Sequence, residues 1–161
     1  MASADALRTG QNSLDLGYPL QSSKSLAVGF SVAIWAIGAL FFFRGFWLSG
    51  FDRVFGDNGD AQLLIAVLEH WHRFFSGAVG FDEAQFFYPE PSVLGYTDTY
   101  FLFALPYTAF RWISFDPYAA YMVSLVAISC FGFAGYQLLL TRHLGVRWWI
   151  AALAALIAIF G

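Results

Sequence analysis

The sequence predicts an all-α fold, a polytopic transmembrane helical bundle with an amphipathic helix lying at the membrane interface in the loop after the first span. Three observations predict it. Hydrophobic residues make up 59% of the 161 residues and charged residues only 12%, about half the roughly 25% charged share of an ordinary soluble domain. Apolar runs of spanning length occur at 26–48 and 118–140, with shorter ones at 100–115 and 148–161. Between the first two runs lies a polar loop, 50–99, that carries one stretch with the period of an amphipathic helix, 61–75.

Charge narrows the partners. Eleven acidic residues against eight Lys and Arg leave a net charge of -3. Eight of those acids, Asp52, Asp57, Asp60, Glu69, Asp82, Glu83, Glu90 and Asp98, fall between the first and second apolar runs. A surface of that sign excludes nucleic acid as a partner, because phosphate binding needs a basic footprint. Membrane lipid is the partner the composition demands. The single Cys130 excludes an intrachain disulfide.

Residues 1–25 are polar, with Gly10, Gly17, Pro19 and a Ser-rich stretch at Ser22, Ser23 and Ser25, which predicts a disordered tail. The run 26–48 is long enough at 1.5 Å per residue for the ~30 Å hydrocarbon core and too long for a cleaved signal peptide, so it reads as a signal anchor. Phe41, Phe42, Phe43, Phe46 and Trp47 mark its far interface, with Arg44 snorkelling. In the loop, Leu63, Leu64, Val67, Leu68, Trp71, Phe74 and Phe75 recur at helical spacing. That stripe predicts a helix resting in the bilayer surface, with Glu69 and Arg73 as an i,i+4 ion pair. Phe86-Phe87-Tyr88-Pro89-Glu90-Pro91 reads as an extended, stiff apolar wall, since proline excludes its predecessor from the α region.

The run 100–115, interrupted by Pro106 and Arg111, is short for a span and either crosses with help from neighbours or re-enters on the same side. Asp116-Pro117 turns the chain into 118–140, which contains no charge. The small residues Ala120, Ser124, Gly132 and Gly135 allow close helix approach there. Thr141 to Arg147 is a short basic turn, and 148–161 starts a span that stops after about 14 residues, as the N-terminal part of a longer membrane protein or a fragment would.

Chemistry concentrates in Gly56-Asp57-Asn58-Gly59-Asp60. The glycines permit positive φ or close approach of a ligand, and three oxygen-bearing side chains lie within one turn. Such a loop suits a divalent cation such as Mg or Mn, held by Asp57 and Asp60, or a carboxylate base. The same residues also suit a plain turn followed by Asp60 as helix N-cap. Glu90 and Asp98 are further candidates for an acidic substrate-binding pocket. Tyr88, Tyr96 and Tyr100 offer sugar-stacking faces, or an interfacial aromatic belt. Glu69 and His72 have the spacing of carboxylate-bridged metal sites, but no second copy of the motif exists in the chain.

A first span, then an acidic loop with an interfacial helix, then closely spaced further spans resembles the N-terminal module of the C superfamily of glycosyltransferases (GT-C). The phrases that carry the resemblance are Gly56-Asp57-Asn58-Gly59-Asp60, Phe87-Tyr88-Pro89-Glu90-Pro91, Gly95-Tyr96-Thr97-Asp98 and Asp116-Pro117-Tyr118-Ala119-Ala120-Tyr121. The resemblance implies a multi-pass protein of the bacterial cytoplasmic membrane that transfers a sugar from a polyprenyl-phosphate-linked donor at the extracytoplasmic face. It maps the catalytic carboxylate onto Asp57 or Asp60, which are spaced Asp-x-x-Asp where many members have an adjacent acidic pair. It further implies an inverting transfer in which Arg142, His143 and Arg147 supply positive charge to the leaving phosphate; the alternative is that these three anchor helix ends at headgroups.

Loop charge does not decide orientation. With three full crossings, Lys and Arg number three inside and five outside, and a re-entrant 100–115 makes the counts four and four. Three crossings would put the basic turn on the same side as Asp57, as a shared phosphate site requires. The rival function is a non-enzymatic scaffold or transporter subunit, in which the loop acids only solvate the surface.

Overall fold

The fold, seen in a computed structural model that describes residues 20–84 and 98–161, is built from helices alone, with no strand among the described residues. They are α1 (Leu20–Phe42), α2 (Arg44–Leu48), α3 (Asn58–Phe75), α4 (Phe101–Trp112), α5 (Pro117–Arg142) and α6 (Trp148–Phe160). Helix α1 begins inside the expected tail, so residues 20–25 are helical rather than disordered. The expectation for residues 1–19 lies outside the described residues.

Two of these helices, α1 over Ser25–Phe42 and α5 over Pro117–Arg142, are long and apolar enough to cross a membrane, and only 11% of each stretch is buried. A soluble core helix would be mostly buried. Phe41 is instead 70% exposed and Phe131 73% exposed. Apolar surface on this scale marks a face that meets lipid or another protein.

Cross-contacts set the directions. Gln137 of α5 donates to Ser31 Oγ at 2.7 Å, and Trp35 Nε1 donates to Ser129 Oγ at 3.2 Å. The α1 numbers rise as the α5 numbers fall, so α1 and α5 are antiparallel. Helix α6 runs parallel to α1, with Phe30 against Trp148 (5.3 Å between ring centroids) at one end and Phe42 against Phe160 (5.4 Å) at the other. Small residues permit this packing. Ala151, Ala152 and Ala155 are fully buried, and a Cβ at Gly38 would collide with Leu156 and lie 2.9 Å from the Phe160 ring. A Cβ at Gly132 would lie 3.0 Å from Ile159, whereas one at Gly135 would meet nothing within 4 Å among the described residues.

Helices α3 and α4 pack at the end of the bundle formed by the α1 C-terminus and the α5 N-terminus. Phe43 and Phe46 join Val67, Leu68, Trp71, Ala104, Tyr107, Ala120 and Met122 in one core. The stripe on α3 is therefore protein core: Val67 is 0% and Trp71 2% exposed. That corrects the expectation that this face rests in lipid, because α4 and α5 cover it. Helix α4 has 12 residues, about 18 Å against a ~30 Å hydrocarbon core. Its antiparallel pairing with α3, Trp71 against Phe101 at 5.1 Å, keeps it at this end of the bundle.

Candidate functional site

Helix α3 starts at Asn58 because Asp57 caps it. Asp57 is extended at φ -80 and ψ 166, and its Oδ1 accepts the amide N–H groups of Gly59 (2.9 Å) and Asp60 (2.7 Å). The cap is thus Asp57, three residues before the expected Asp60, which sits in the first turn where a carboxylate meets the positive end of the helix dipole. Gly56, at φ 106, makes the preceding bend that a β-carbon would strain. Phe55 then ties the loop to α5: its N–H lies 3.1 Å from Met122 Sδ, and its carbonyl accepts from the Tyr121 hydroxyl at 3.4 Å.

The result is a pocket of about 350 Å³ lined by Asp52, Arg53, Gly56, Asp57, Gln62 and Tyr118, among others. Its chemistry is mixed. Two carboxylates, a guanidinium, an amide and a phenol converge around an opening at the end of two membrane-length helices. Asp57 Oδ1 is held by two amides, while Oδ2 has no protein donor among the described residues. Asp60 does not line this pocket.

The other predicted residues do not gather here. Asp98 precedes Thr99, whose carbonyl accepts the Trp71 indole N–H at 2.6 Å. Fourteen residues of α3, about 21 Å, separate Trp71 from Asp57. Glu90, with Tyr88, Tyr96 and the expected aromatic wall, lies outside the described residues. Arg142 ends α5, about 36 Å of helix from Tyr118, and His143 and Arg147 follow it. That length of helix separates the three from the Asp57 pocket, which Tyr118 lines at the other end of α5, so they share no site with Asp57 in this arrangement.

A second polar centre was not visible in the local sequence. Glu69 of α3 accepts from Arg111 Nε (3.0 Å), Arg111 Nη2 (3.1 Å) and the Tyr107 hydroxyl (2.8 Å), and Arg111 Nη1 donates to the Phe115 carbonyl at 2.6 Å. Glu69 thus pairs with Arg111 across 42 residues rather than with Arg73 one turn on. Arg111 is held in place by α4, whereas Arg73 is exposed. Burial pushes the Glu69 carboxyl up, but the Arg111 and Tyr107 hydrogen bonds outweigh it and hold the group below its ordinary value. Burial lowers His72, against the attraction of Glu69. The signal available in the sequence was Arg111 itself, a cation inside an apolar run that required an anion from elsewhere.

Among the described residues no three His, Cys, Asp or Glu side chains converge as a metal site. Asp57 and Asp60 belong to no such group of three. No protein-family profile, curated protein or solved structure matches the chain.

Proposed function

We propose that this chain is a multi-pass membrane module of the GT-C type, with α1 and α5 as antiparallel spans and α3 and α4 at the extracytoplasmic face of a bacterial cytoplasmic membrane. In this reading the Asp57 pocket holds the hydroxyl acceptor of a sugar carried on a polyprenyl phosphate. The observation that carries it is the double position of Asp57, which caps α3 and lines a mixed-charge pocket at the end of the two long apolar helices.

Two amide bonds to Oδ1 fix the carboxylate and leave Oδ2 to take a proton. As the acceptor oxygen bonds to the anomeric carbon, its proton passes to Asp57. The bond from that carbon to the donor phosphate oxygen breaks, and the phosphate leaves with the electron pair. Arg53, in the same pocket, is the cation placed to meet that charge, in place of the distant Arg142, His143 and Arg147. Gln62 and Tyr118 offer hydrogen bonds to sugar hydroxyls. No step is assigned to a cation.

The test is Asp57→Asn in the full chain, assayed with a panel of polyprenyl-phosphate-linked sugars. Asparagine keeps the cap and removes the base, so transfer should fall by roughly 10²- to 10⁴-fold with folding intact. Unchanged transfer overturns the assignment and favours the scaffold. Loss in Asp60→Asn alone moves the role three residues along.

A further inference from the structure

At the opposite end of the bundle, α1 and α5 flank a groove of about 790 Å³ walled by Val28, Val32, Trp35, Phe133 and Leu138, with Trp148 and Arg142 also in its lining. The uncharged side-chain donors Ser31, Trp35, Gln137 and Thr141 along the groove are already engaged within the protein. Ser31 donates to the Ala27 carbonyl, Trp35 to Ser129, Gln137 to Ser31 and the Trp148 carbonyl, and Thr141 to the Gln137 carbonyl. The walls therefore ask for an apolar occupant. The Arg142 end asks for an anion: the Arg142 guanidinium has no acceptor among the described residues, and His143 and Arg147 follow it in an exposed basic turn.

Cys130 and Arg142 both line the groove, twelve residues apart on α5, so it runs about 18 Å along the helix. An occupant apolar over that length and anionic at one end is an acyl lipid. We propose that this groove binds an anionic phospholipid, its acyl chain between α1 and α5 and its phosphate on Arg142, in the leaflet opposite the Asp57 pocket. The proposal rests on reading α1 and α5 as spans and is independent of the sugar-transfer chemistry.

The full chain, purified in mild detergent from membranes containing phosphatidylglycerol and a zwitterionic phospholipid, is examined by native mass spectrometry during stepwise delipidation. Phosphatidylglycerol should be retained preferentially, and Arg142→Gln should reduce that preference about fivefold, as expected for one cation at a lipid headgroup. Ala134→Trp, on an exposed groove position, leaves every charge in place and should also abolish retention by filling the groove. Retention that survives Ala134→Trp would mean headgroup anchoring without a groove site and would overturn the proposal. Equal retention of both lipids would overturn it too. Circular dichroism confirms that each variant remains helical, and extraction of the wild-type chain from membranes by alkaline carbonate would instead sink the spanning assignment itself.

Discussion

Glu69 shows how one side chain joins three helices. Its carboxylate takes three hydrogen bonds from α4, and Arg111 passes the connection on to Phe115 at the turn before α5. Removing the anion leaves a cation with its partner gone, so Glu69→Gln should destabilise the fold by about 1–3 kcal/mol, and Tyr107→Phe by about 1 kcal/mol. Unfolding in detergent, followed by circular dichroism, checks both, and equal losses would refute the ranking. The pH dependence has one sign. Glu69 and His72 both lie below their ordinary values of 4.5 and 6.5, so the folded state binds fewer protons than the unfolded one and stability falls as pH is lowered. His72 contributes from about pH 6.5 downward and Glu69 only once the pH drops below about 4.5. His72→Gln should flatten the first part of the stability curve and Glu69→Gln the second.

Element packing turns on where a Cβ has room. Gly38 presses α1 onto α6 against Leu156 and Phe160, while Gly135 on α5 meets nothing within 4 Å among the described residues. Gly38→Val should therefore cost about 1–3 kcal/mol through overpacking. Gly135→Ala should be neutral or stabilising, because Ala exceeds Gly in helix propensity by up to about 1 kcal/mol. Unfolding of the full chain by titration with SDS in mixed micelles distinguishes them, and a tolerated Gly38→Val would show that α1 and α6 do not pack this way. The caps are local matters. Asp116 Oδ1 accepts from Tyr118 and Ala119, with Pro117 at the first position of α5, as the Asp-Pro pair led one to expect.

For the whole molecule the consequence is sidedness. With α1 and α5 antiparallel and α4 at about 18 Å too short to cross, Asp57 and the basic turn lie on opposite faces of any membrane that the two helices span. In a Cys130→Ser background, a cysteine at Asn58 should react with an impermeant maleimide in intact cells, and one at Leu144, 66% exposed, only after lysis. Labelling of both from the same side would show that α5 does not cross.

What the sequence determined by itself was the helical class, the two membrane-length apolar helices, the amphipathic α3 and the Asp116-Pro117 start of α5. Each depends on contiguous residues, through run length, periodicity or a cap one turn away. Tertiary structure alone decided that α4 stays beside α3, and from that single choice follow the covering of Val67 and Trp71, the pairing of Glu69 with Arg111 and the separation of Asp57 from Arg142. The physical reason is that a marginal apolar run such as 100–115 holds Pro106 and Arg111, and its place is set by which partner satisfies that arginine. The partner stands 42 residues away on another helix, where no local period or spacing reaches it.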